Sequence, residues 1–344
     1  MKIKDICTSV TDGSHNPPLG IEKSEYMMLS SKNIFDDEIT FDEPRFLTER
    51  DFEKEHRRTK IAVGDVLFTI VGTVGRIAVV DEDMSTFALQ RSVAVLHPKN
   101  DVCLPRFLMY ALRGKRTYIE NRAKGVAQKG IYLKEVSDID IHIPDISNQE
   151  IIINKLDKVN AIIKLRQKEL LVLDNFIKAR FVEMFGDPIR NTQNRPTTEF
   201  INVVRMQRGF DLPVQDRQQD GKIPVYGSNG VLDHHNVAKI QGGGVITGRS
   251  GTIGKVFYTE GDYWPLNTSL FSVDTHGNNV IYLAYLLQLF NLTRFVEGTG
   301  VPTLNRNMFH NKQIIDAPIE EQNQFADFVH QVDKSKFGKL STLL

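Results

Sequence analysis

The second half of this chain is a diverged copy of the first. Gly64-Asp-Val-Leu-Phe-Thr-Ile-Val-Gly72-Thr-Val-Gly75-Arg76 returns as Gly243-Gly-Val-Ile-Thr-Gly-Arg-Ser-Gly251-Thr-Ile-Gly254-Lys255. Further matches follow in the same order. Leu89-Gln90-Arg91-Ser92 answers to Leu266-Asn267-Thr268-Ser269, Phe107–Tyr110 to Tyr282–Tyr285, and Gly125-Val126 to Gly300-Val301. Pro144 to Gln149 then answers to Pro318 to Gln322. A repeat this long does not build a solenoid. It predicts two homologous modules of mixed α and β structure, an α+β chain, each module followed by its own helix. A protein of that plan does one job twice, at two places on one partner.

With 344 residues the chain has room for two domains of ordinary size. Its formal net charge is zero, which excludes a simple polycation but not local basic faces. Cys7 and Cys103 match no metal or redox spacing, so a disulfide scaffold is not expected and a cytoplasmic location is. The N-terminal Met1 to Cys7 lacks the apolar core of a signal peptide. Ile61 to Val80 approaches the length of a membrane span, but it holds Asp65, Arg76 and three glycines. Its β-branched content predicts two buried strands joined by a turn at Gly72–Gly75, and no membrane partner.

Residues 1–145 read as the first module, with strands at Val63–Phe68, Arg76–Val80 and Ser92–Leu96 and a helix over Pro105–Tyr118. A central helix follows within 146–188, capped by Ser147 or Asn148 and stopped by Gly186-Asp187-Pro188. Leu156, Val159, Ile163, Leu170, Leu173 and Ile177 recur at alternating three- and four-residue steps, the pattern of a coiled-coil seam. Arg166 and Arg180 interrupt that seam. A second module spans 189–317, with its helix over Val280–Leu292, and a second, shorter helix spans 318–344. Phe325, Phe328, Val329 and Val332 are its candidate packing residues, against the central helix. Ile151, Ile152, Ile162, Leu171 and Phe176 lie off the seam, so the central helix is expected to have more than one packing partner.

Several motifs hint at catalysis and then fail in context. Asn16-Pro17-Pro18-Leu19 resembles the tetrapeptide of adenine methyltransferases, but leucine replaces the aromatic that would stack on the base. Too few residues precede it for a glycine-rich cofactor strand. Gly248 to Lys255 is one residue too long for a phosphate-binding loop, and Val256 stands where Ser or Thr is needed. A hairpin with a basic residue just past its turn is the better reading of both copies, placing Arg76 and Lys255 to reach a phosphate. His234 and His235 are adjacent and face opposite ways on a strand, so they do not share a metal. No catalytic residues and no metal ligands are assigned.

Local charge says more. Arg106, Arg113, Lys115, Arg116, Arg122, Lys124, Lys129 and Lys134 crowd between Asp101 and Lys134, with Arg57, Arg58 and Lys60 in the same module. The second module has Arg205, Arg208, Arg249, Lys255, Arg294 and Arg306. They are interspersed with Gln, Asn, Ser and Thr, side chains able to read base edges. Basic clusters in both modules favour a nucleic acid as the partner over a merely solvated face. A stand-alone methyltransferase and a coiled-coil assembly protein without a DNA role are the competing readings.

The layout of module, long helix, module, helix resembles the specificity subunits of type I restriction–modification systems over essentially the whole chain. The likeness is carried by the repeated Gly64–Arg76 and Gly243–Lys255 runs and by the Pro144–Gln149 and Pro318–Gln322 helix starts. Arg180-Phe-Val-Glu-Met184-Phe-Gly186-Asp-Pro188 and Ile223-Pro-Val-Tyr226-Gly-Ser-Asn229-Gly add to it. The resemblance implies two target recognition domains, each reading half of a bipartite asymmetric site, and two helices paired as an antiparallel coiled coil that sets the spacing. It implies a non-catalytic subunit. Two methyltransferase subunits and the restriction and translocase subunits would bring S-adenosylmethionine, ATP and Mg. The residues themselves then offer, as candidate contacts to double-stranded DNA in the first module, Ser14, His15, Asn16, Arg76, Gln90, Arg91, Lys124, Gln128 and Lys129. In the second they are Ser228, Asn229, Arg249, Ser250, Lys255, Asn267, Thr268, Thr303, Asn305 and Arg306. The family's second helix matches its first in length. Here it is shorter, so the coiled coil is expected to be incomplete at one end.

Overall fold

The computed structural model describes all residues except 83, 85, 126–128, 219, 299–301 and 339–344, and the backbone alone of 337 and 338. The chain divides into two compact units, Met1–Lys164 and Leu165–Leu344, with the cut inside the central helix. Among the described residues no helix is long and apolar enough to cross a membrane.

Unit one is built on a four-stranded antiparallel sheet in the order Cys7–Asp12, Val93–Pro98, Val66–Thr69, Ile77–Val79. Its central strands are buried on both faces, which explains their unbroken apolar runs. Side chains alternate across a strand. Val66, Phe68, Ala94 and Leu96 therefore pack with Phe107, Leu108 and Leu112 of the helix Pro105–Gly114. Leu67, Val93 and Val95 face the other way, onto Leu29, Phe87 and Leu89. Those last residues belong to a smaller sheet, in which Met27–Leu29 runs parallel to Phe87–Leu89 and antiparallel to Arg45–Phe46.

Unit two repeats this topology strand for strand. Its four-stranded sheet runs Arg205–Arg208, Ser269–Asp274, Gly244–Gly248, Val256–Thr259. Its smaller sheet pairs Ile223–Gly227 parallel to Trp264–Pro265 and antiparallel to Gly230–His235. The paired turn glycines also match: φ is +84° and +93° at Gly72 and Gly75, and +82° and +93° at Gly251 and Gly254. These left-handed values suit glycine and little else.

The hydrogen bonds correct one part of the sequence alignment by a single residue. Ser14 N donates to Leu89 O, as Phe210 N does to Pro265 O. Gly13 N donates to Val93 O, as Gly209 N does to Ser269 O. Leu89 to Ser92 therefore corresponds to Pro265 to Thr268, not to Leu266 to Ser269. The apparent Leu and Ser identities favoured the shifted alignment; backbone register, which decides the face each side chain takes, overrules it. The same frame exposes a repeat the sequence reading missed. A Cβ on Gly13 would lie 2.2 Å from Leu89 O, and one on Gly209 2.3 Å from Leu266 O. Both strands cross a backbone at van der Waals limit. Gly13→Ala and Gly209→Ala are each expected to destabilise their own unit by roughly 1–3 kcal/mol or more; a denaturant midpoint within error of wild type would contradict this close approach.

The central helix spans Ile146–Phe185. Its cap is Asp145 rather than Ser147 or Asn148, because the Asp145 carboxylate accepts the Asn148 amide at 2.8 Å. It ends as Gly186 turns left-handed at φ +80°. Within unit one, Ile152 and Ile153 pack on the core. Within unit two, Ile177, Phe181 and Phe185 are fully buried against the terminal helix Ile319–Gly338 and the helix Val280–Phe290. Phe325 meets Phe181 edge-on at 5.3 Å, Phe328 meets Phe176 at 5.3 Å, and Val329 and Val332 join the same core, with Leu173 packed at its margin. Leu156, Val159 and Ile163 are exposed, and Leu170 is half-buried.

One buried glutamine opens each long helix. Gln149 Oε1 accepts Leu104 N at 2.8 Å, while its amide donates to Val102 O and Pro144 O. Gln322 Oε1 accepts Asn279 N at 2.9 Å, while its amide donates to Asn278 Oδ1 and Ala317 O. Each thus ties the start of a long helix to the start of its module's own helix, and the Pro144–Gln149 and Pro318–Gln322 repeat is the trace of that joint.

Candidate nucleic-acid interface

In unit one the candidate residues fall along one ribbon of backbone links. Ser14 bridges Gln90, and Arg91 N donates to Ser14 O. Ser92 O then accepts from Ile70 N, and Gly72 N donates to Lys129 O. Lys124 and Gly130 close the adjoining loop with two mutual bonds. The side chains fare differently. Arg91, Lys124, Lys129 and Asn16 are exposed and Gln90 is half-buried, but Ser14 is buried. His15 pairs with Asp12 at 2.7 Å, and Arg76 lies over the Phe35 ring at 4.8 Å. Gln128 lies outside the described residues.

Unit two gathers its candidates more tightly. Ser228 and Asn229 form the hairpin turn beside Gly248–Gly254, and Lys255 Nζ donates to Asn229 Oδ1 at 2.8 Å. Ser250 bridges Thr303, and Arg249 and Ser250 both donate from their backbones to Thr268 O. Arg249 Nε donates to Asn267 O at 3.1 Å, and the Asn267 amide donates to Asp211. Next to this turn lies an open cleft of about 300 Å³ lined by Arg208, Arg249, Thr303, Asn305, Arg306 and Asn307. A second concavity continues along the edge strand past Arg205, Gln207 and His310. Arg205 has Asp274 only at 4.0 Å, and no carboxylate among the described residues pairs with Arg208 or Arg306. Arg208 and Gln207 were not singled out from sequence as site residues; only the edge strand brings them beside Arg306.

Three arginines of the basic cluster of unit one prove to be spent inside the fold. Arg106 is bound by Asp37 and Asp157, Arg116 by Asp36 and the Gly75 carbonyl, and Arg58 by Asp12. Arg113 lies over Tyr110, and Lys115 and Arg122 lie over Tyr118. Charge density along the sequence overstated the free positive surface there.

His310 sits at the wall of the second cleft, where its Nε2 accepts Met206 N at 3.2 Å. Burial, with Arg306 and Arg205 nearby, pushes its pKa below the ordinary histidine value. The folded state therefore favours the neutral ring. The unfolded chain takes up the proton first, near pH 6.5, so stability is full above that pH and declines as pH falls toward the folded value. Unit two is expected to show a lower urea midpoint at pH 5.5 than at 7.5. His310→Gln, which keeps an acceptor for Met206, should flatten that difference; an equal pH dependence in the variant would assign it elsewhere.

Comparison with known proteins now bears on this surface. A family model described as the type I restriction modification DNA specificity domain matches twice, over residues 1–175 and 191–342. The chain belongs to this family. Each match takes in one module together with the long helix that follows it, or most of it. The type I restriction enzyme EcoBI specificity subunit of Escherichia coli is 27% identical over 160 residues, 46% of this chain and 32% of that protein. The alignment thus spans about a third of that relative's length. The type I restriction–modification S subunit of M. genitalium superposes with a TM-score of 0.57 at 14% identity, covering 100% of this chain and 92% of that one. At that identity the likeness is one of fold. For a specificity-domain protein, two matching modules make the inequality of the two surfaces informative: the frame is shared, while Arg91 stands opposite Asn267 and Gln90 opposite Leu266.

Proposed function

We propose that this chain is the DNA-specificity subunit of a type I restriction–modification complex, with each module reading one half of a bipartite, asymmetric site. The observation that carries this is the repeated hydrogen-bond frame bearing different side chains. Corresponding places hold Arg91 and Asn267, Val71 and Ser250, and Gly130 and Thr303. A shared frame places both modules on DNA in the same manner, and different side chains select different bases. The free arginines of unit two and Arg91, Lys124 and Lys129 of unit one supply the phosphate contacts. Half-sites about one helical turn apart, roughly 34 Å, suit a helix of this length.

In this reading the two long helices pair as an antiparallel spacer and dock two methyltransferase subunits. Restriction and translocase subunits complete the assembly. S-adenosylmethionine, ATP and Mg reside on those partners, and this chain performs no chemistry of its own. The test is co-expression with the methyltransferase subunit, followed by mapping of methylated bases across the genome. A split, asymmetric motif that appears only when this chain is present is the expected result. A contiguous motif, or one unchanged by removing the chain, would defeat the reading.

A further inference from the structure

The hairpin Ile34–Ile39 of unit one touches both the turn that carries Arg76 and the central helix. Phe35 lies under the Arg76 guanidinium at 4.8 Å. Asp36 holds Arg116, which also donates to the Gly75 carbonyl at 2.9 Å. Asp37 turns the other way. Its carboxylate accepts from Arg106 Nη1 at 3.1 Å and from Asn160 Nδ2 at 2.9 Å, with Lys164 Nζ at 3.7 Å. Arg106 also binds Asp157 through two nitrogens, and Tyr110 donates to the same carboxylate.

Asp157, Asn160 and Lys164 are spaced i, i+3 and i+7, so one face of the helix is gripped over two turns. Paired, charge-assisted bonds of this kind fix geometry as well as supply energy. The backbone is specialised as well. Asp37 adopts φ +59°, a left-handed value unusual outside glycine and held only where the surroundings over-determine it. Unit two is held differently at the corresponding place: eight residues beyond Gln322, as Asp157 is beyond Gln149, stands His330, 3.5 Å from the exposed Glu260.

We infer that Asp37 is a positioning residue, holding the reading surface of the first module at a fixed angle to the central helix and thereby restricting the half-site spacing that the chain accepts. This rests on the function proposed above and goes beyond it by naming where spacing is enforced. A turn of the duplex occupies roughly 10 base pairs, so one added pair both displaces and rotates a half-site. A rigid joint rejects that change and a loosened one follows it.

Asp37→Asn removes the charge while keeping a residue that tolerates the left-handed backbone. Asn160→Leu removes the helix side chain that donates to Asp37 at 2.9 Å without touching the hairpin. The full chain, in complex with its methyltransferase subunit, is tested on duplexes carrying the two mapped half-sites at the native spacer and at one base pair more or less. Labelled methyl transfer from S-adenosylmethionine is the readout, with a thermal melt of each variant in parallel. Both variants are expected to raise the ratio of methylation at altered spacers to that at the native spacer by roughly tenfold, a typical coupling. An unchanged ratio, or an equal loss at every spacer, overturns the positioning role. A wild-type chain that directs no split-site methylation overturns the function itself, a result separable from the other two.

Discussion

Replacing Gln322 by leucine is expected to lower the stability of unit two by ~2–6 kcal/mol, at about 1–3 kcal/mol for each buried group left without its partner. Leucine fills a similar volume but serves neither the Asn279 amide nor the Ala317 carbonyl, and the side chain is only 1% exposed, so water does not reach them readily. Gln149→Leu is expected to cost unit one a comparable amount, since Leu104 N, Val102 O and Pro144 O lose their partner in a site with no exposure. Because the units have separate cores, each variant should move its own transition in a urea melt and leave the other in place. Unchanged midpoints in both variants would mean that the joints are held by apolar packing alone. Movement of both transitions by either variant would mean that the units unfold together.

The double variant Arg208→Ala, Arg306→Ala is expected to weaken binding to a duplex of arbitrary sequence by roughly 100-fold, at about 1.5 kcal/mol for each charged contact. The slope of log affinity against log salt should become shallower by about 1.8, at 0.9 for each phosphate released. Both side chains line the cleft beside the Thr303–Asn307 segment, and neither is engaged by a carboxylate among the described residues. Arg106 provides the contrast: it is held between Asp37 and Asp157, whose carboxylates already balance its charge. A salt slope equal to that of wild type would remove this cleft from the DNA surface. Loss of binding to one sequence only would move these arginines from phosphate to base contacts.

How far each feature could be read in advance depended on how local its cause is. The glycine pairs at Gly72/Gly75 and Gly251/Gly254 announced the same turn twice, because a left-handed backbone is a property of one residue. The central helix could be placed from its freedom from glycine and proline, with ends at Pro144 and Gly186, although the cap lay at Asp145, two residues before Ser147 and three before Asn148. Alternating burial was hidden, since both faces of the central strands are covered and the runs read as continuous apolar segments. The register of Leu89–Ser92 misled because a one-residue shift preserves two identities, and only inter-strand hydrogen bonds distinguish the shifted alignment from the true one.

The amino-acid sequence by itself determined the plan of this protein: two modules of one topology, each leading into a long helix. Turn glycines, helix boundaries and apolar periodicity act within a few residues of one another, and a repeat preserves them together. Tertiary structure alone decided which charges are free. Arg106 lies 69 residues from Asp37 and 51 from Asp157, distances over which a sequence carries no record of pairing. Folding brings those carboxylates to Arg106 and leaves Arg208 and Arg306 of the second module without one among the described residues. An ion pair is set by where two strands or helices meet, not by the composition of the segment that holds either partner.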